Sequence, residues 1–233
     1  MVGLGDALLM FACYAYILSM IFLSSKIGSF LPMSRKASRK FLHAMIGNLP
    51  FVIPFFSSSI YPVLVAAPFI LVTFAVSPYS PYVNSLSRLR GLAEITEGGH
   101  RLGLILYAVS YTVLALFFAS RPYVIAAGIL PMAYGDSLAS LVGERWGRTR
   151  YRLPADKSLE GSMAMFLGSL LSLLIGVAFF SHVTALSLVD GVLPALGAAA
   201  AATLVEAFTP LGFDNLTVPA SGAIAFLALY RSA

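Results

Sequence analysis

Runs of about twenty apolar residues recur along the whole chain, and nearly all basic residues fall between them. Roughly 20 apolar residues carry a helix across the hydrocarbon core of a bilayer. Unpaired backbone is not tolerated there, so crossing segments are helices or closed barrels. Eight runs, at 5–23, 42–58, 60–76, 102–119, 122–142, 162–181, 184–205 and 216–231, therefore predict an all-α, polytopic transmembrane helical bundle of about eight spans. It is read as one integral membrane domain over residues 1–233. Pro50, Pro54, Pro62 and Pro68 predict that spans two and three are kinked or re-entrant. Composition agrees: 11% of the chain is charged, against about 25% for a soluble domain, and mean hydropathy is +0.88.

The connections set the orientation. Lys26, Arg35, Lys36, Arg39 and Lys40 lie between spans one and two, and Arg88, Arg90 and Arg101 between three and four. Arg145, Arg148, Arg150, Arg152 and Lys157 lie between five and six. Thirteen of the fifteen basic residues thus share one side, leaving Arg121 and Arg231 opposite. The positive-inside rule predicts that side to be cytoplasmic and both termini to be outside, as in a multi-pass protein of the cell membrane. The net charge of +5 is then a topology signal and not a sign of nucleic-acid binding. The N-terminus has no basic n-region and carries Asp6, so 5–23 reads as a retained span and not a cleaved signal peptide. Cys13 is alone, which excludes an intramolecular disulfide. Leu86, Leu89, Leu92 and Ile95 recur at helical spacing in 77–101, predicting a short amphipathic interfacial helix. The alanine run 198–202 suits close helix packing.

Polar residues that break the apolar pattern collect on the predicted cytoplasmic side. Asp136 sits inside an apolar segment, at a cost of roughly 2.5–3.5 kcal/mol on insertion scales, so a cation is expected beside it. Gly135, Ala139, Gly143 and Gly147 place small residues near it, leaving room for a ligand or a close helix. Glycines and arginines from Gly143 to Arg152, among them Arg145 and Arg148, suit phosphate oxygens. Lys157, Ser158, Glu160 and Gly161 follow at the start of span six. There Ser158 can cap the helix, Lys157 suits phosphate at its positive end, and Glu160 can share a divalent metal ion with Asp136. Arg39 and Lys40 open span two, with His43 suited to orienting a phosphate or carrying a proton. Glu206, Asp214 and Asn215 lie in the one connecting loop on this side that carries no basic residue. Their plain reading is capping of span eight, and their functional reading is a share in a metal or substrate site. P-loop, dinucleotide-fold, HExxH and GxSxG patterns are all missing.

In combination these motifs resemble the CTP-dependent polyprenol kinase family, which includes dolichol kinase, phytol kinase and a CTP-dependent diacylglycerol kinase. The resemblance rests on Arg39, Lys40 and His43; on Gly135, Asp136, Ala139, Gly143 and Gly147; on Lys157, Ser158, Glu160 and Gly161; and on Asp214, Asn215 and Pro219. It covers about residues 35–220. It implies a membrane enzyme that moves the γ-phosphate of CTP to a lipid alcohol with Mg²⁺ or another divalent cation. Asp136 and Glu160 would hold the metal, Lys157, Arg148 and Arg145 the triphosphate, and His43 or Asp214 would take the alcohol proton. Asp156 before Lys157 departs from the two basic residues usual in dolichol kinases and favours a shorter prenol such as phytol, geranylgeraniol or farnesol. The expected partners are a nucleotide, a lipid alcohol and the bilayer, and a homo-oligomer is compatible with them. CTP:phosphatidate cytidylyltransferases share part of the pattern but transfer CMP. Their C-terminal acidic, glycine- and histidine-containing motif is missing here, and the ending Asp-Asn-Leu-Thr-Val-Pro resembles the kinases. A small transporter is the other alternative, disfavoured because the polar residues crowd one face and not the midplane.

Overall fold

The computed structural model describes residues 3–30, 35–81, 102–153, 156–210 and 212–230. The expected amphipathic helix around Leu86 to Ile95, with Arg88, Arg90 and Arg101, lies outside the described residues. Among the described residues ten α-helices carry the fold: α1 Leu4–Phe30, α2 Arg35–Ile46, α3 Ile60–Ala66, α4 Pro68–Ala75, α5 Gly103–Phe118, α6 Pro122–Leu130, α7 Asp136–Trp146, α8 Leu159–Val183, α9 Leu188–Phe208 and α10 Asp214–Leu229. A 3₁₀ segment, Leu49–Phe55, follows α2, and a π turn, Pro131–Gly135, joins α6 to α7.

Among the described residues four continuous helices are long and apolar enough to cross a membrane: Leu4–Ser24, Pro122–Trp146, Leu159–Val183 and Leu188–Phe208. Ile60–Ala75, Gly103–Phe118 and Asp214–Leu229 are shorter apolar helices. The outer faces of the long helices are apolar: Phe11 and Phe22 on α1, Leu171 on α8 and Val189 on α9 are all exposed. A water-soluble chain rarely presents apolar patches of that extent.

The expected second span is not one helix. It begins earlier, in the basic segment, as α2 and continues through Gly47 and Asn48 into the 3₁₀ segment. Pro50 and Pro54 lack the N–H that an α-helix needs, which accounts for the break. The broken segment nevertheless runs the full length of α1 in the opposite sense. At one end of α1, the Ser57 amide donates to Asp6 Oδ1 at 2.8 Å, and the Ser57 hydroxyl donates to the other oxygen of the same carboxylate. Midway, Tyr16 Oη donates to Met45 O at 2.7 Å. Toward the other end, Leu42 and Ile46 pack with Met20 and Ile21. Asp6 is therefore the acid that ties the start of α1 to the far end of this segment.

The helix at the centre is α6. Val124, Ile125, Ala127, Ile129 and Leu130 are all at most 1% exposed, so α6 is enclosed on every side by protein. Close contact with α10 depends on Gly222, where a Cβ would lie 2.4 Å from Ala127 O. Ala198, Ala199 and Ala202 of α9 are fully buried, as packing against neighbouring helices requires. The rings of Tyr123 and Tyr230 meet at 5.5 Å, bringing the start of α6 to the end of α10.

One departure from an all-helical chain is local. Between α7 and α8, β1 (Arg150–Arg152) and β2 (Asp156–Ser158) form a two-stranded antiparallel ribbon in which Tyr151 faces Lys157.

Candidate active site

The charged residues gather at one end of the bundle because the π turn, α2, the ribbon and the α9–α10 corner meet there. In the π turn the Asp136 amide donates to Pro131 O. Turns of this kind widen the helix locally and recur at functional sites. The Asp136 carboxylate accepts from Lys40 Nζ in a buried ion pair. Ser137 fixes the approach of α2, its hydroxyl bridging Ala133 O at 2.6 Å and Lys40 O at 3.2 Å. A second ion pair lies alongside. Lys157 Nζ donates to Glu206 Oε1 at 2.5 Å and also to the Glu206 carbonyl. Arg39 interacts with Asp136, Asp214 and Glu144, and Asp214 with Asp136, Lys40 and Lys157.

The result is a polar cleft lined by four basic and five acidic residues. Arg39, Lys40, Asp136, Ala139, Gly143, Lys157, Ser158, Gly161, Glu206 and Asp214 line it, so all four motif segments converge on one space. Asp214 is the first residue of α10, whose N-cap is Phe213 with no side-chain cap bond, so the expected capping is not seen. Its carboxyl accepts from the adjacent Asn215 amide at 2.9 Å and lines the cleft. Asn215 is buried behind it, its carbonyl accepting from Ser110 Oγ at 2.7 Å.

Several expected residues stand elsewhere. The Glu160 carboxylate accepts from the Thr149 amide at 3.1 and 3.3 Å and does not line the cleft with Asp136. Its partner bond, from the Leu159 amide to Thr149 O at 2.9 Å, closes the ribbon onto α8. Arg145 lies over the Trp146 ring at 5.3 Å, and Arg148 is exposed outside the cleft. His43 is buried with its ring 4.8 Å from that of Tyr107, and interacts electrostatically with Asp136. Arg150 was not singled out as a ligand-binding residue, yet it lines the cleft and donates to Gly143 O at 3.2 Å. Only the register of the ribbon places it there.

The motif glycines serve helix contact before anything else. A Cβ on Gly135 would lie 2.1 Å from Ser169 Oγ and 2.9 Å from Met165 O, and one on Gly147 would lie 2.6 Å from Ser158 Oγ. Ser158 caps α8 as expected, accepting from the Gly161 amide at 3.1 Å. Gly135→Ala is expected to destabilise the fold by about 1–3 kcal/mol, the usual cost of overpacking. The measurement is thermal unfolding in detergent. Adding Ser169→Ala should recover only part of the loss, because Met165 O stays in the way. An unchanged midpoint in the single variant would contradict the close contact.

Glu160 can be tested as a clamp against its expected role as a metal ligand. Glu160→Gln keeps an acceptor for Thr149 and should leave turnover within a few-fold of wild type. Glu160→Ala should loosen the ribbon and raise the nucleotide KM about tenfold, the loss of an interaction worth about 1.4 kcal/mol. A steep fall in kcat for Glu160→Gln, with a shifted divalent-ion dependence, would return Glu160 to the metal.

The donor set bears on a divalent ion. Among the described residues no three His, Cys, Asp or Glu side chains form a ready-made metal cluster. Asp136, Asp214 and Glu206 nevertheless line one space. Mg²⁺ is commonly held by one or two carboxylates together with substrate phosphates. These residues therefore fit an ion that arrives with a nucleotide.

Fold and site together define a class: among the described residues, a bundle with four helices of membrane-crossing length and, at one end, a cleft of paired lysines and carboxylates. Comparison with known proteins narrows the class. The chain is 42% identical to the "Phytol kinase" of Synechocystis sp. over 130 residues, 54% of each chain. It is 30% identical over 219 residues to the "Probable phytol kinase, chloroplastic" of Triticum aestivum, covering 86% of this chain and 70% of that one. It is 26% identical over 213 residues to the "Farnesol kinase, chloroplastic" of Arabidopsis thaliana, covering 84% and 66%. The chain belongs to the polyprenol/phytol kinase family. The match to the Synechocystis protein spans about half of that relative's length. No protein-family model matches the chain, and no solved structure matches it.

Proposed function

We propose that this protein is an integral membrane prenol kinase that transfers the γ-phosphate of CTP to a lipid alcohol of the phytol, geranylgeraniol or farnesol type. The observation that carries the reading is the convergence of two lysine–carboxylate pairs, Arg39 and Asp214 in one cleft at the end of an apolar bundle. In each pair the attraction must offset the loss of water around both charges. With a nucleotide bound, Lys40, Lys157 and Arg39 would face phosphate oxygens, and Asp136, with Asp214 or Glu206, would hold the metal ion that accompanies it. The ion, when bound, neutralises charge on the phosphates. Arg150, reaching in from the ribbon, supports the triphosphate in the place expected for Arg145 and Arg148.

Phosphoryl transfer needs positioning and charge neutralisation more than covalent help from the protein. The alcohol oxygen forms a bond to the γ-phosphorus while the bond from that phosphorus to the β-bridging oxygen breaks, and CDP leaves. The hydroxyl proton goes to Asp214, a cleft carboxylate outside the Lys40–Asp136 and Lys157–Glu206 pairs, with Glu206 then the second carboxylate for the ion. Three things support a short prenol: the Asp156–Lys157 pair in the motif, and relatives that carry the names phytol kinase and farnesol kinase.

The cleft faces the cytoplasm in this reading, and the chain crosses the membrane eight times with both termini outside. The broken second segment supports the count, because it returns along α1 from Lys40 to Ser57. About 27 Å separates Asp6 from Ser24 at 1.5 Å per helical residue, close to the hydrocarbon thickness. The contact of Tyr230 with Tyr123, at the end of α6 away from Asp136, supports a C-terminal helix end opposite the cleft.

The test uses membranes containing the protein, CTP labelled at either the γ or the α phosphate, and a panel of phytol, geranylgeraniol, farnesol and dolichol. Label reaching a short prenol from the γ position alone is the expected result. Transfer of the α label to lipid would make the protein a cytidylyltransferase.

A further inference from the structure

Behind α2 lies a second, narrow cavity that the phosphate chemistry does not use. It is an open cavity lying between α1, α2, α3, α4 and α5, and its exposed lining is apolar. Leu42 and Ile46 line it from α2, Leu104 and Ala108 from α5, and Val65 and Phe69 from α3 and α4. Thr73, the one hydroxyl-bearing aliphatic side chain in its wall, turns its Oγ1 back to Phe69 O at 2.6 Å.

The cavity and the charged cleft share α2 as a wall. Arg39 and Lys40 face the cleft, whereas Leu42 and Ile46 face the cavity. His43 stands between the two spaces. Its ring meets that of Tyr107, which lines the cavity, and it interacts with Asp136, which lines the cleft. A linear molecule with an apolar tail and one hydroxyl end matches this arrangement, because the polar end meets the phosphate site where the apolar lining stops.

We propose that the cavity between α1, α2, α3, α4 and α5 receives the isoprenoid chain of the alcohol, with its hydroxyl directed past Tyr107 and His43 toward Asp136. The inference rests on the prenol kinase reading for the identity of the chain, and adds the place where the chain is held. Ala108 then limits the fit: a larger side chain there fills the space beside Leu104. His43 is a positioning residue at the junction and not a metal or phosphate ligand.

The experiment uses the full chain in nanodiscs and a farnesol analogue with a diazirine near its apolar end. Crosslinked residues are mapped by mass spectrometry, with and without excess phytol. Labelling of the α2 and α5 segments that contain Leu42, Ile46, Leu104 and Ala108, competed by phytol, is expected. Ala108→Phe should abolish that labelling and raise the KM for the twenty-carbon alcohol at least tenfold, with the nucleotide KM unchanged. Labelling instead of the open apolar groove formed by Leu9, Cys13, Phe51 and Val52 would overturn the inference. So would labelling spread over the outer faces of α8 and α9. The crosslink is read on the unsubstituted protein, so poor folding of the variant leaves the test intact. Cavity labelling in a protein that phosphorylates no alcohol would sink the kinase reading and leave this site standing. Turnover with labelling elsewhere would do the reverse.

Discussion

Asp136→Asn is expected to lower kcat for phosphate transfer to phytol by on the order of 10²–10³-fold, the scale seen when one preorganised charge-stabilising group is removed. Asparagine preserves the shape of the side chain and an acceptor for Lys40, so the variant should fold and elute as wild type from a sizing column. What it removes is the negative charge that would hold the metal ion against the phosphates. The Mg²⁺ concentration for half-maximal rate should therefore rise in parallel with the loss of turnover. A purely architectural role for the Lys40–Asp136 pair makes the opposite forecast. Replacing both partners by apolar residues, as in Lys40→Met with Asp136→Leu, should then leave both stability and turnover close to wild type, since buried ion pairs can often be exchanged for well-packed apolar groups. We expect that double variant to fold and to be inactive. Normal turnover in folded Asp136→Asn would remove the metal assignment.

Much of this arrangement was legible because each layer had a separate physical cause. Apolar runs too long and too uncharged for a soluble core announced the helices. Asp136 stood out because an unpaired carboxylate in an apolar segment is costly. Its partner did not. Lys40 is 96 positions away in the chain, and only the antiparallel return of the second segment along α1 places it there. The same holds for Lys157 and Glu206, 49 positions apart, which meet because the ribbon leans over the end of α9. Glu160 suits a metal ligand by type and place, but Arg150–Arg152 pairs with Asp156–Ser158, and the Thr149 amide at the foot of that ribbon takes its carboxylate as acceptor. The glycines offered two readings, phosphate approach or helix contact. The short distances at Gly135 and Gly147 favour contact.

Lys157→Met should act mainly on nucleotide binding, where Asp136→Asn acts on turnover. The lysine reaches the cleft from β2, one residue before the capped start of α8, where the positive end of the helix dipole favours an anion. Removing its charge should raise the nucleotide KM about 100-fold, equivalent to about 2.7 kcal/mol, with a smaller effect on the lipid-alcohol KM. Glu206 would be left buried without its cation, and losing one partner of such a pair costs about 3–5 kcal/mol. Lower affinity in the single variant could therefore arise from a disturbed fold. Lys157→Met with Glu206→Leu separates the two causes. If Lys157 serves phosphate, the double variant regains thermal stability while its nucleotide KM stays high. If the lysine only neutralises Glu206, stability and KM recover together. Lys157→Arg gives an intermediate check: the charge is kept, but the planar fork does not reproduce the compact ammonium, so the Glu206 contacts should be partly restored and the KM should fall between those of wild type and Lys157→Met.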